Sequence, residues 1–533
     1  QYTNHSLNHI EIYIYFHNML SLTKRASTIN TISHNSSKKL LCSLYYYSTT
    51  TTSTSKIEPL DILIVGGGPA GLSLLSSLIS SDKLNNLNYK LVESNNLENQ
   101  IQKYDDLGRY DNRIISITPK NLDYLTTKIN LPLNFDKITK FNGITIFNGS
   151  DSSTMSEHKP RVDLDTESYM CEIQNLVKAN YSFIKEKNAS AESKNPNCLL
   201  QETKVLDISK SQDNYPLVTL SNGVTYKPKL LIGCDGFNSS VKKYMNYSSI
   251  GWNYDSFGVV GNLKLKYPSL GSNLRGWQTF LTTGPLAHLP LEGDRATMVW
   301  SCDNAMSEFF AKKLTNGEVL ASLINCAFVL NRLDYEYYLK KIMKLYSTEI
   351  VNEEDVNKLV EEMNTRVEQE SETLSKVNTD NSQDEMLYMD EYYPPIVESV
   401  DLTTVGRFPL KMFHLDNYSK DRMVLIGDAC HNTHPLAGQG LNMGLEDIKE
   451  LIKQLEKAMD LGIDIGNNEL VLKKYFENRY PENSVMLMGT DFLFKLFAID
   501  EPVVHKLTNI GMNFVNSMDT LKKWMSFRVS GKN

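Results

Sequence analysis

Gly427-Asp-Ala-Cys-His-Asn-Thr-His-Pro-Leu-Ala-Gly-Gln-Gly-Leu-Asn-Met-Gly-Leu-Glu-Asp447 follows an apolar run, Met423 to Ile426, and leads into a helical pattern. A strand therefore runs into a glycine-bracketed turn and then a helix. Gly438 and Gly440 allow the backbone to approach a flat ring closely. The helix expected from about Leu441 directs its first N–H groups and positive dipole end at whatever sits in front of it, which favours an anionic ring edge. The stretch has the construction of a cofactor turn.

A second glycine turn stands upstream. Asp61-Ile-Leu-Ile-Val65 is a continuous apolar strand, followed by Gly66-Gly-Gly-Pro-Ala-Gly71 and an apolar helix from Leu72 to Ile79. This is G-x-G-x-x-G in its strand–turn–helix setting. Gly66 makes the tight turn, Gly68 admits a pyrophosphate, and Gly71 lets the helix close on the strand. Glu93, at the end of the next strand and 22 residues past Gly71, is placed to accept hydrogen bonds from a ribose.

A third strand and turn, Leu230-Leu-Ile-Gly-Cys-Asp-Gly-Phe-Asn-Ser-Ser-Val-Lys242, completes a set. The three segments in this order resemble the aromatic-ring flavin monooxygenases, with Asp235-Gly236 and Gly427-Asp428 as second and third motifs. The resemblance implies an α/β fold: a Rossmann-like FAD-binding domain of the aromatic hydroxylase type, a β-sheet substrate domain and a C-terminal helical region. It also implies FAD as cofactor, with Asp428 on the ribityl chain, Asp235 near the pyrophosphate and the Leu436–Leu441 backbone facing the flavin ring. The implied catalytic backbone is Pro435, Gly438, Gln439 and Gly440. The implied cofactor-binding set is Gly66, Gly68, Gly71, Glu93, Arg113, Asp235, Gly236, Gly427, Asp428, Leu441 and Asn442. Lys242 stands where the family often has arginine, which keeps the charge and loses the bidentate fork.

Within that family, His434-Pro-Leu-Ala-Gly-Gln-Gly-Leu-Asn-Met-Gly444 is similar to the ubiquinone-biosynthesis hydroxylases. Tyr110-Asp-Asn-Arg-Ile-Ile-Ser-Ile-Thr-Pro119, Gly251-Trp-Asn-Tyr-Asp255 and Arg407-Phe-Pro-Leu-Lys-Met412 resemble their eukaryotic mitochondrial branch. The resemblance implies an enzyme that hydroxylates the aromatic ring of a polyprenylated phenol or benzoate with O2, through a flavin hydroperoxide. It implies a ferredoxin-type or NADPH-dependent electron donor, neighbours from ubiquinone biosynthesis in a matrix-side complex, and peripheral contact with the inner membrane. Two alternatives stay open: a same-fold flavin reductase of prenyl groups, and a catalytically silent assembly subunit. With one nucleotide fingerprint, already needed for FAD, a protein donor is the preferred expectation.

Composition fits this picture. The 533 residues are 41% hydrophobic and 22% charged, enough for two sizeable cores. A formal charge of −8 argues against nucleic acid as a main partner. Seven cysteines are scattered without a C-x-x-C pair, so no metal site is expected. His431 and His434 are expected to be structural, and Arg113 to face the cofactor rather than a surface carboxylate. Glu172 and Gln174, on a helix read over Tyr169–Leu176, are further candidate pocket groups.

Residues 1–57 hold five basic side chains and one acidic among many Ser, Thr and Asn, and read as a mitochondrial transit peptide, with Met19 a plausible start. The expected organisation thereafter is a discontinuous FAD domain over 58–135, 165–250 and 418–460. A substrate-domain sheet is expected over 136–164, 251–332 and 393–417, and an acidic insertion over 333–392. C-terminal helices are expected over 461–533. Residues 349–391, with fourteen acidic and three basic side chains, read as a solvated linker in preference to a partial helix over Val356–Val367, where some 3.6 spacing is present. Clustered apolar residues near the C-terminus read as a helical cap or, alternatively, a face for a membrane or partner. No run of 18 apolar residues exists, so no spanning helix is expected.

Overall fold

The structure is a computed structural model that describes residues 57–150, 159–190, 194–268, 274–347, 351–378 and 392–530. The expected leader, apart from Ile57, lies outside these residues, as do 379–391 of the acidic segment.

Ile62, Leu63 and Ile64 are fully buried, so the strand Ile57–Val65 has to be covered on both faces, the situation of a central parallel strand. It pairs in parallel with Tyr89–Val92 on one side and Thr225–Gly233 on the other. Leu199–Leu200 and Met423–Leu425 extend the parallel sheet at its two ends. Helix Pro69–Ser80 crosses over and packs on helix Ile173–Ala189. Its small Ser73 and Ser76 allow that approach and bond Asn180, with Ser76 Oγ donating to Asn180 Oδ1 at 2.7 Å. Gly71 sits at the foot of this helix, where a Cβ would run into the Gly66 carbonyl oxygen, so strand and helix meet here only through glycine.

The second sheet has nine strands, in the order His431–Asn432, Val397–Leu415, Ser249–Leu265, Arg295–Asp303, Gly284–Pro290, Arg275–Leu281, Ile138–Asn148, Arg161–Glu172 and Ile114–Ile117. All neighbours are antiparallel except Arg275–Leu281 with Ile138–Asn148. The helix read over Tyr169–Leu176 is corrected here. Tyr169 to Glu172 form the end of a strand paired with Ile114–Ile117, and the helix begins at Ile173. A short apolar run does not tell a strand from a helix.

Helix Gly317–Val329, buried from Val319 onward, packs against this sheet beside helices Arg332–Leu345 and Glu353–Asn378. The solvated linker expected over 349–391 is thus a helix in its first part. Val356, Leu359, Val360, Met363, Val367 and Leu374 are buried at helical spacing, with the acids on the other faces. Arg366 bridges Asp334 and Glu370, at 2.7 and 2.8 Å, and ties the helix down. The partial helical spacing over Val356–Val367 was the true signal, and the acidic composition had outweighed it.

The chain closes with helices Gly440–Leu461, Lys473–Phe497, Pro502–Ser517 and Asp519–Ser530. Among the described residues no helix is long and apolar enough to cross a membrane.

Candidate functional site

A cleft of about 690 Å³ opens at the carboxyl ends of the parallel strands, where α/β sheets bind ligands. It is lined by ten of the residues picked out above: Gly66, Gly68, Glu93, Arg113, Asp235, Gly236, Gly427, Asp428, Gly440 and Leu441. Three segments separated by more than a hundred residues each thus converge on one space.

The walls of the cleft fit a dinucleotide. A Cβ on Gly68, Gly236 or Gly440 would meet no atom within 4 Å, so these backbones border open space. Gly66, at φ +104°, could not carry a side chain, since a Cβ would lie 2.6 Å from the Cys234 carbonyl oxygen. Helices Pro69–Ser80 and Gly440–Leu461 both begin at the cleft with no side-chain cap, leaving first-turn N–H groups to an anionic ligand. Asp235 Oδ2 accepts the Ser240 N–H and hydroxyl at 2.6 and 2.8 Å, while its buried Oδ1 has no partner. An orphaned buried acceptor on a cleft wall suits a ligand hydroxyl. FAD, with two ribose-like polyols and a pyrophosphate, matches this donor and acceptor set.

Asp428 is exposed and lines this space. The protein crowded round its carboxyl raises its pKa, opposed by His431 and Arg113. It accepts no hydrogen bond from the described residues. Arg113 lines the cleft and forms no ion pair among the described residues, unlike the surface salt bridge weighed as its alternative. Glu93 already accepts the Gly67 N–H at 2.6 Å and the Asn95 N–H at 2.7 Å, which holds the fingerprint loop against the second strand.

Other expected residues lie elsewhere. Pro435, Gly438, Gln439 and Asn442 do not line the cleft. Asn442 is buried, donating to the Ser116 carbonyl at 2.7 Å and accepting the Thr118 N–H at 3.1 Å, and so clamps the Ile114–Ile117 strand to the helix start. Gly438, at φ +60°, turns the chain just before that helix. Gly71 acts from beneath, in the helix–strand contact. Glu172 accepts the Tyr104 hydroxyl at 2.6 Å and the Asp111 N–H at 2.5 Å and does not line the cleft either, nor does Gln174, whose buried Oε1 has no partner. Lys242 donates to the Phe237 carbonyl and lies over the Phe413 ring, outside the cleft.

Sequence reasoning missed Lys204 and Ser240 on the lining, and Asp447 behind it. Asp447 is fully buried. Its Oδ2 accepts His431 Nε2 at 2.7 Å and the Gly427 N–H at 3.1 Å, and its Oδ1 accepts Arg479 Nε at 2.9 Å and Asn483 Nδ2 at 3.1 Å. Its partners hold the carboxyl well below the usual range, against burial. The i, i+20 return from Gly427 to a lone acid inside an apolar helix face was the available signal. Cys430, His431 and Asp447 come close enough to hold a metal, but burial pushes the Cys430 thiol far up, keeping it protonated, and it contacts the Gly427 carbonyl oxygen. His434 is buried and held neutral, its pKa lowered to about 3, and its Nδ1 accepts the Leu436 N–H at 3.1 Å.

Comparison with known proteins agrees with this geometry. A family model described as FAD binding domain matches residues 356–476. The mitochondrial ubiquinone biosynthesis monooxygenase COQ6 of Saccharomyces cerevisiae is 39% identical over 479 residues, spanning 88% of this chain and 94% of that protein. Its Schizosaccharomyces pombe counterpart is 33% identical over 478 residues, spanning 87% and 90%. Among solved structures, pqsL, a probable FAD-dependent monooxygenase from Pseudomonas aeruginosa, superposes with a TM-score of 0.57 at 17% identity, covering 86% of this chain and all of that one. The p-nitrophenol 4-monooxygenase PnpA of Pseudomonas putida gives 0.57 at 14%, covering 89% and 100%. These two share the fold.

Proposed function

The chain belongs to the family of mitochondrial ubiquinone biosynthesis monooxygenases, and from that premise we propose that it hydroxylates the aromatic ring of a polyprenylated phenol with O2, using FAD held in the cleft. The observation that carries the reading is the convergence of Gly66 and Gly68, Asp235–Gly236, Gly427–Asp428 and Gly440–Leu441 on a single cleft, where Gly68, Gly236 and Gly440 border open space and Asp235 Oδ1 is left without a partner.

Bound FAD supplies the redox and oxygen chemistry. The chain's residues place it. The uncapped N–H groups of helix Pro69–Ser80 take the pyrophosphate, with Arg113 and Lys204 as cations on the same walls. Asp428 would accept hydroxyls of the ribityl chain, Asp235 Oδ1 a cofactor hydroxyl on the pyrophosphate side, and Glu93, through the lone pairs left to its carboxylate, the adenosine ribose. The start of helix Gly440–Leu461 stabilises negative charge on the ring edge. Pro435, Gly438 and Gln439 shape the turn before it. The neutral His434, between Tyr254 and Phe494 with ring centroids 5.2 and 4.3 Å away, helps exclude water from that side.

Electrons come from a ferredoxin-type protein rather than a resident nicotinamide, since the one nucleotide fingerprint is already used. The enzyme works on the matrix side of the inner membrane, in contact with other proteins of the pathway. The deciding experiment is single-turnover oxidation by ¹⁸O2 of the reduced, FAD-loaded protein with a prenylated phenol. One labelled oxygen on the ring is expected. Flavin reoxidation that yields only hydrogen peroxide, or substrate returned with a reduced prenyl double bond, would favour the silent subunit or the prenyl reductase.

A further inference from the structure

Helix Pro502–Ser517 is built inside out. Apart from Met512 and Val515, the face it presents to the protein is polar: Asn148 Nδ2 donates to Thr508 Oγ1 at 3.1 Å and Asn509 Oδ1 at 2.6 Å, His505 meets Ser150 at 3.0 Å, and Asn516 accepts the Asp163 N–H at 3.1 Å. The face it turns outward is apolar. Val503, Leu507, Ile510 and Phe514, spaced i, i+4, i+7, i+11, are 69%, 61%, 65% and 59% exposed. A helix whose outer side worked in water would show the reverse arrangement. Val485, Met488 and Phe492 on the preceding helix and Trp524 and Phe527 on the following one are exposed as well. An apolar surface of this extent marks a contact.

We propose that these C-terminal helices lie flat on an anionic lipid surface. Charge selects that occupant. Residues 502–533 hold five basic side chains and one acidic, a net +4 in a chain of −8. Lys506 and Lys523 are exposed next to the apolar stripe and Trp524, the pattern of an interfacial helix. A second copy would bring the same cationic face against itself across a twofold axis. An anionic leaflet attracts it.

The helices that carry this surface also pack against the ring turn. Phe497 and Met512 belong to one apolar cluster with Phe280 and with Leu436 of the ring turn. The helices assigned to lipid thus pack directly on the ring turn, which would let a polyprenyl tail stay in apolar surroundings near it. This role for the surface rests on the proposed substrate class, whereas the lipid contact itself does not.

The test uses full-length, FAD-loaded protein and flotation with phosphatidylcholine vesicles, plain or containing roughly a third phosphatidylglycerol. Wild type is expected to float with the anionic vesicles and to be released as salt rises. Leu507→Glu/Phe514→Glu, altering two exposed side chains, should keep the flavin content and helical signal yet bind at least about ten-fold less. Lys506→Glu/Lys523→Glu should weaken binding and flatten its salt dependence. The Glu pair should hydroxylate a tail-less phenol as wild type does and lose turnover of a vesicle-held prenylated one. Wild type that stays out of both vesicle fractions overturns the proposal, as does a Glu pair that floats like wild type. So does a dimer or an acidic partner protein that is lost in the Glu pair while vesicles are never bound. If wild type hydroxylates neither phenol, the functional reading falls while flotation still decides the lipid contact.

Discussion

Replacing Asp447 with Asn keeps the shape of the side chain and removes its charge, and the structure allows the consequence to be worked out. Asp447 accepts from four donors, two on each oxygen, and is fully buried. Asn offers one oxygen. In one orientation its NH2 group faces the Gly427 N–H and His431; in the other it faces Arg479 and Asn483. Either way buried donors lose their acceptor, and Arg479, only 11% exposed, loses its counter-charge. Breaking a buried, hydrogen-bonded pair from one side costs about 3–5 kcal/mol. For a unit of this size, with an unfolding entropy of roughly 1 kcal/mol/K, that is a fall of about 3–5 °C in Tm. Because the Gly427 amide is one of the groups released, the Gly427–Asp428 turn loosens as well, and FAD affinity should fall at least about ten-fold.

The sign of the pH dependence is fixed too. A carboxyl held below its unfolded pKa contributes stability that is fully present above about pH 4 and is lost as pH falls toward the folded value. The gap between wild type and Asp447→Asn should therefore be flat from pH 5 to 8 and narrow below 4. Differential scanning fluorimetry of the FAD-free proteins across pH, with flavin titration at pH 7, measures both effects. An Asn variant with wild-type Tm and wild-type FAD affinity would refute the assignment of Asp447 as the post behind the flavin turn. Arg479→Met combined with Asp447→Leu serves as the control. It should recover much of the stability by apolar packing but not the flavin affinity, since Gly427 still lacks its acceptor.

Three further outcomes follow from the same geometry. Gly71→Val should abolish FAD binding, because a side chain there collides with the Gly66 carbonyl and forces helix Pro69–Ser80 off its strand; flavin absorbance after gel filtration reads it, and a yellow protein would sink the argument. Asp428→Ala should weaken FAD about 10- to 100-fold with the apo-protein Tm changed by no more than about 1 °C, since the carboxylate accepts no hydrogen bond from described residues. His288 is buried with neither ring nitrogen partnered, and burial lowers its pKa to about 4. The unfolded chain, at about 6.5, then binds more protons in between, so stability present at pH 7 falls by about 2 kcal/mol on reaching pH 5. His288→Leu should remove that share of the acid loss in urea unfolding, and an unchanged loss would count against it.

How far the site could be read from the chain depended on whether backbone or side chains did the work. Gly66, Gly68, Gly236, Gly427 and Gly440 line the cleft where the strand–turn–helix reading puts them, because a glycine needed for close approach follows from local geometry. Asn442 could not be placed that way. Whether it faces ligand or the Ile114–Ile117 strand depends on a contact between residues more than three hundred positions apart. The same limit applied to Asp447, whose partners come from a turn and from a helix beginning at Lys473. In the acidic segment, local composition outweighed spacing: fourteen acids read as solvent until Met363 and Val367 are seen to be buried against Gly317–Val329. In the C-terminal helices the reverse held, with apolar residues that suggested packing left exposed and polar ones holding the protein.

That inversion has a structural consequence for the site. Helix Lys473–Phe497 touches the flavin turn at several heights. Arg479 and Asn483 reach Asp447 behind Gly427, Thr490 meets Thr433 at 2.9 Å, and Phe494 lies tilted against His434. Asp491 accepts Trp252 Nε1 at 3.0 Å and the Tyr254 hydroxyl at 2.9 Å, joining the helix to the large sheet. The opposite side of the same helix carries Val485, Met488 and Phe492 outward. One element thus supports the turn proposed to hold the cofactor and presents the surface assigned to lipid. A contact on its outer face has only packed side chains to push through before it reaches residues 427–437, and packed side chains transmit displacement rather than absorb it.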